Sequence, residues 1–269
     1  MPGSRRVLSV IAMTGLVLAQ APRPAFEVAS VKPSNTGDGP YIQVLPGRLL
    51  ASYSSLRDLI EFAYRVRTDQ IAEGPSWIVS DHYGIEAKAA GNPPGAQIAG
   101  AMLQGLLEDR FKLALHRETR QLPVYELTVV KNGLKLQPAK EGTCMVFSPD
   151  SPPLPATPDT PRLPFCGPRT GRNGLNWELS GQGVSMDALA GILSFQLNRT
   201  VLDKTGLTGS YDMHLQWAVD PLTSGTASDD LPGPSLSTAL REQLGLRMES
   251  AKGPVEVLVI DHAERLSHN

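Results

Sequence analysis

The chain has 269 residues, a formal net charge of −2 and 41% hydrophobic residues. That length allows one large or two small domains, and the hydrophobic content is enough for real cores. The near-neutral balance offers no cationic footprint for nucleic acid or an anionic membrane surface, and both are set aside as partners.

In chain order, Arg5 and Arg6 precede an apolar run from Val7 to Ala19, with small residues at Ala19 and Ala21. This pattern predicts a signal peptide over 1–21, cleaved after Ala19 rather than Ala21 because Pro22 would follow the latter. The run is short for a bilayer span. A periplasmic or secreted protein with no stable membrane span after cleavage is therefore expected.

Two segments, AFEVASVKPS and YIQVLPGRLLASY, alternate apolar and polar residues and read as strands, the second folded at a turn around Pro46-Gly47. SLRDLIEFAYRV (Ser55–Val66) then reads as a helix with Ser55 as N-cap and Leu56, Leu59, Ile60 and Ala63 on one apolar face. A half-buried strand starts at Tyr83 (YGIEAKA), followed by a helix over AQIAGAMLQGLLEDRF. KLALHRETRQLPVYELTVV closes this part as a predicted hairpin, with Pro123 just before its last strand, where a missing N–H does least harm.

The two cysteines, Cys144 and Cys166, bracket a Pro-rich stretch that cannot build a core of its own. A structural disulfide is expected in an oxidising compartment, and a reactive or metal-binding pair would want a CxxC spacing or nearby histidine.

After the Pro-rich stretch the pattern returns. WELSGQGV (Trp177–Val184) is a lead-in strand, and SMDALAGILSFQL (Ser185–Leu197) a helix burying Met186, Leu189, Ala190, Leu193 and Leu197. YDMHLQW from Tyr211 is a strand, SLSTALREQLG a helix, and GLRMESAKGPVEVLVIDH a hairpin with Pro254 in the place of Pro123. Five ordered elements recur at nearly constant spacing, which predicts an α+β fold of two related repeats, each strand–helix–strand–helix–hairpin. Their boundaries are set at 26–140 and 175–269, with 141–174 as the Cys-bracketed linker. Fusion into one pseudo-twofold sheet, which would hide two edges, is preferred over two separate sheets.

The stretches FEVASVKPS, GPSWIVSDHYGIEAKA, LLEDRFKLALHRETRQLPVYELTV, VLDKTGLTGSYDMHLQW and LGLRMESAKGPVEVLVIDHAERLS together resemble the soil-associated bacterial family known as domain of unknown function 3738, from about Phe26 to the C-terminus. The resemblance implies a secreted protein, with some relatives similar to sensor-type modules fused to BlaR-type membrane metallopeptidases, and it implies no catalytic residues. Gly84 departs from the acidic residue usual after the strand-leading tyrosine, seen here as Asp212 after Tyr211. The helix SMDALAGILSFQL and the turn TGLTGSYD bear a fainter likeness to the short N-terminal domain of secretins and TonB-dependent receptors, which works by protein contacts.

The five histidines, His82, His116, His214, His262 and His268, show no HxH, HxxxH or HExxH spacing. No GxSxG occurs for a serine hydrolase, and GLTGSY leads into a strand and lacks the Lys-Ser/Thr ending of a phosphate loop. Asp203, Lys204, Ser210 and Asp212 crowd one loop, but Gly206 and Gly209 mark it as a turn. Trp77, Trp177 and Trp217 are scattered; Trp77 and Trp217 flank the two Tyr-led strands and read as core or edge packing, with a sugar or peptide platform as the alternative. The expectation is accordingly a non-catalytic module, with no cofactor, metal or catalytic residues, that binds an envelope protein or extracellular peptide. An envelope hydrolase is the alternative, with Asp81, His82, His116 and Glu118 as its first suspects, and a sensor-type domain is a third reading.

Overall fold

Residues 23–35, 37, 39–131, 133–145, 163–218 and 233–266 are described by a computed structural model; the expected signal peptide, 1–21, lies outside them. Contacts divide the chain into two compact units. One takes the chain up to Tyr64, Ser80–Lys112 and the chain from Arg265 on; the other takes Arg65–Val79 and Leu113–Glu264.

Strand β1 (Phe26–Pro33) is followed by the hairpin of β2 (Tyr41–Leu45) and β3 (Arg48–Ser55). Gly47 supplies the positive φ, +68°, that the expected turn needs. Helix α1 (Leu56–Tyr64) starts at a reciprocal cap: the Asp58 N–H donates to Ser55 Oγ at 3.2 Å, and the Ser55 N–H donates to Asp58 Oδ2 at 2.8 Å. Its buried residues are Leu56, Leu59, Ile60 and Ala63, the face read from periodicity. The short strand β4 (Ile71–Ala72) and the single-turn helix α2 (Trp77–Ser80) lead to β5 (His82–Ala89). Helices α3 (Gly95–Gln97) and α4 (Leu103–Phe111) are joined by a π-helical turn, Ile98–Met102, irregular at Gly100. In the first unit these helices cover an antiparallel sheet of order β1-β5-β3-β2, and Leu49, Leu59, Ile85, Leu103, Leu107 and Phe111 are buried.

The second unit continues with β6 (Ala114–Val129), β7 (Gln137–Pro138), β8 (Gly167–Asn173), β9 (Asn176–Ser185) and helix α5 (Met186–Gln196). Ser185 caps α5 by accepting from the Ala188 N–H at 3.1 Å. Strands β10 (Val201–Asp203) and β11 (Ser210–Ala218), helix α6 (Leu236–Ala239) with a π-helical turn at Leu240–Leu244, and β12 (Leu246–His262) complete it. Its sheets have the orders β10-β6-β12-β4 and β7-β11-β9-β8. Helix α5 and the Leu240–Leu244 turn bury Leu189, Leu193, Leu240 and Leu244 in one core with Leu127, Leu179 and Leu215.

Two expectations are corrected. The predicted hairpins are each one unbroken strand: β6 and β12 pair antiparallel along almost their whole lengths, from Leu246 opposite Val129 to His262 opposite Ala114. Among the described residues β10 pairs with β6 only at Tyr125–Leu127 and β4 with β12 only at Leu258–Val259, so Pro123 and Pro254 lie in a two-stranded stretch, where a missing N–H breaks no ladder. The supposed linker 141–174 also ends in structure, because Gly167–Asn173 is β8, paired with β9.

Cys144 and Cys166 form the expected disulfide, with Cα atoms 4.9 Å apart. It lies over Gly183 (φ +64°), where a Cβ would stand 3.2 Å from Cys144 Sγ. The Gly183 N–H donates to Asp212 Oδ1 at 3.2 Å, so the acid after Tyr211 fastens the bend beneath the disulfide. The fold is a mixed α/β arrangement of several sheets and few helices.

Candidate functional site

The alternation of β3 breaks after Ala51: its pairing with β5 shifts register between Ala51 and Ser54, and Tyr53 within the bulge has φ +47°. A bulky residue in the left-handed region is strained unless its surroundings hold it. Here the ring of Tyr53 is stacked on the His82 imidazole, with centroids 4.0 Å apart and planes 7° from parallel. Gly37 approaches so closely that a Cβ there would come 2.4 Å from the Tyr53 Cβ.

Around this stack the first unit forms a cleft of about 370 Å³. Three segments make its walls. The loop after β1, with Ser34 and Asn35, is pinned to the start of β5 by the Ser34 N–H donating to the His82 carbonyl at 2.8 Å. Asp81, His82 and Tyr83 open β5, and Arg265 Nε meets Asp81 Oδ2 at 2.9 Å. Tyr83 is buried, 3% exposed, with its ring edge-on to Phe111 at 4.8 Å. Burial pushes its phenol pKa up, the Asp81 charge pushes it further, and Arg265 opposes.

The chemistry available there is recognition by a flat aromatic surface, an oriented ion pair and several hydroxyl and amide groups. Within the cleft the Ser80 hydroxyl donates to Asp81 Oδ1 at 3.1 Å. No group of three His, Cys, Asp or Glu side chains among the described residues is placed to hold a metal ion.

Residues 57–263 match the family model described as protein of unknown function, DUF3738. The chain belongs to this family. No curated protein and no solved structure matches it.

Of the four residues singled out from sequence in this DUF3738 chain, Asp81 and His82 line the cleft of the first unit, whereas His116 and Glu118 sit on β6 in the second. His116 Nδ1 faces both oxygens of Asp261, at 2.8 and 2.9 Å. His262 turns the other way, to Glu264 at 3.0 Å, as neighbours on a strand must. Glu118 bonds Arg120 at 2.9 Å, and Arg120 also reaches Glu73 at 2.7 Å. The Arg120 hydrogen bond holds the exposed Glu118 carboxyl below its ordinary pKa, and the two acids raise that of Arg120. This is a solvated charge network along a strand, of small worth to stability. Sequence reasoning missed Tyr53 and Arg265. The polar run SYSS interrupting an apolar alternation was the available signal for Tyr53; nothing local marks Arg265 as a partner of Asp81.

Proposed function

We propose that this chain is an exported protein of a soil-associated family and a non-catalytic binding module of the cell envelope or extracellular space, with the cleft of the first unit as its recognition site. The observation that carries the reading is the Tyr53–His82 stack, held at a strained backbone position beside the Asp81–Arg265 pair. Strain kept at a concave, polar-rimmed site is the mark of a surface arranged for contact. The Cys144–Cys166 disulfide supports an oxidising compartment. Among the described residues no helix is long and apolar enough to cross a membrane.

An envelope protein or extracellular peptide is the proposed macromolecular partner. Among the described residues β8 is an edge strand whose residues from Arg169 to Asn173 are exposed, which supports recognition through a strand edge.

The halves are proposed to be related repeats arranged about a pseudo-twofold axis. What supports this is the common order of elements in 41–129 and 167–262: hairpin, helix, short strand, strand, helix and long strand. In the sheet β10-β6-β12-β4, each long strand also takes a short parallel strand from the other half.

The test is to recover the exported protein, measure its intact mass with and without reduction, and use it both as bait in envelope extract and as candidate enzyme on a broad hydrolase panel. Loss of the first nineteen or so residues, no free thiol and specific capture are expected. Turnover that disappears in His82→Ala or His116→Ala protein would replace this reading with that of an envelope hydrolase.

A further inference from the structure

We propose that the free edge of β6 pairs with the same edge of a second copy of this chain, antiparallel about a twofold axis at Thr119. The proposal concerns the second unit and is independent of the cleft.

The edge follows from the ladder. Among the described residues β6 is paired with β12 from Ala114 to Val129, whereas β10 joins its other side only at Tyr125–Leu127. There the Tyr125 N–H donates to the Thr200 carbonyl at 2.8 Å, and the Leu127 carbonyl accepts from the Lys204 N–H at 2.9 Å. The odd-numbered residues of β6 therefore turn their backbone groups away from β12. No register shift interrupts this alternation back to Leu115. Leu115, Arg117, Thr119 and Gln121 thus present both N–H and C=O outward, and Pro123 its C=O alone. Unpaired groups of this kind are a template for another strand. The side chains from His116 to Thr119, and Gln121, are exposed.

Charge decides which strand fits. The even-numbered side chains of HRETRQ share one face, with Glu118 between His116 and Arg120. Laid antiparallel on a second copy about Thr119, Glu118 falls opposite the partner's Arg120, and Arg120 opposite the partner's Glu118. Both pairs lie at positions without backbone bonds between the two edges, where side chains stand closest. Opposite charges side by side suffice, so Arg120 keeps the bonds it makes to Glu118 and Glu73. On the other face Thr119 meets its own symmetry mate and Arg117 meets Gln121. A slip of two residues either way sets Glu118 against Glu118 or Arg120 against Arg120, which like-charge repulsion disfavours.

The same register spans the open edge from end to end. Leu115 falls opposite Pro123, and the next outward residue, Tyr125, is already taken by β10. Charged side chains guard most exposed edges, but signs that alternate about one central residue favour a copy of the same strand. One strand edge per copy is a small contact, at the weak and reversible end of protein interfaces.

The experiment is sedimentation equilibrium of the exported full chain across a concentration series, with the folding of each variant checked by urea unfolding. The weight-average mass is expected to rise from one chain toward two. Thr119→Pro removes an outward N–H that the β6–β12 ladder does not use, and Glu118→Arg sets a like charge against the partner's Arg120; each should weaken association at least about tenfold. Combining Glu118→Arg with Arg120→Glu restores opposite signs and should bring association back close to that of the native chain. In the otherwise native chain Thr119→Cys should cross-link to its symmetry mate on oxidation, because such a pair brings its Cα atoms to about 5.5 Å, and Gln121→Cys should not. A single-chain mass at every concentration up to about 1 mM would overturn the proposal. So would association indifferent to Thr119→Pro and Glu118→Arg, a charge swap that restores nothing, or cross-linking through Gln121→Cys in place of Thr119→Cys.

Discussion

The ring of Tyr53 lies flat on the His82 imidazole, although Tyr53 must adopt a left-handed backbone to reach it. Stack and strain oppose each other. Aromatic pairs of this kind contribute about 0.5–1.5 kcal/mol beyond their buried area, so His82→Ala is expected to lose about that much in urea unfolding. Tyr53→Asn should be more stable than Tyr53→Ala by roughly 1 kcal/mol, since asparagine tolerates the left-handed region and alanine does not. Equal stability of the two variants would mean that the backbone at this position is not strained.

Two groups set opposite pH dependences. The folded pKa of Tyr83 is raised, so the protonated phenol favours the native state; this contribution is fully present below the ordinary tyrosine value of about 10 and is lost as pH rises through the folded one. Glu118 is the reverse, with a lowered folded pKa: its contribution is present above the ordinary value of about 4.3 and is lost as pH falls through the folded one. Thermal melts across pH are expected to show Tyr83→Phe flattening the alkaline limb and Glu118→Gln the acid limb, the latter weakly because the carboxyl is on the solvated side of the strand. An alkaline limb unchanged in Tyr83→Phe would refute the first assignment.

The disulfide closes a loop with 22 residues of sequence separation. A closure of that size is worth about 3 kcal/mol in the chain-entropy model. The Cys144→Ser, Cys166→Ser double variant should unfold at a correspondingly lower denaturant concentration. The loss should be felt first at β8 and the Gly183 bend beneath the bridge, where amide exchange is expected to speed up ahead of the β6–β12 ladder. Uniform acceleration across the unit would count against this local account.

Gly245 ends the Leu240–Leu244 turn with φ +71°, and a Cβ there would stand 1.7 Å from the Gly133 carbonyl oxygen. Neither the backbone carbonyl nor the reversed chain can yield cheaply. Gly245→Ala is expected to cost more than about 3 kcal/mol or to prevent folding, whereas Gly191→Ala, on the open face of α5, should stabilise by roughly 0.5–1 kcal/mol. Comparable melting temperatures for the two variants would contradict the packing described at Gly245.

What the sequence determined by itself is local. The two capped helices were legible because Ser55 and Ser185 stand before apolar residues at helical intervals, and the strands led by Tyr83 and Tyr211 because their alternation is a property of adjacent residues. The cysteine pair was legible from composition and from the compartment that the N-terminal run leads one to expect. What only the tertiary structure decided depends on partners far away in the chain. HRETRQLP reads as the turn of a hairpin until Val255, Val257 and Val259 are laid opposite Arg120, Glu118 and His116; pairing along the whole ladder then keeps both strands straight through their prolines. The cleft was hidden for the same reason. Periodicity reports which face of an element is buried, but only folding brings a bulge at Tyr53, a strand start at Asp81–Tyr83 and Arg265 together around one cleft.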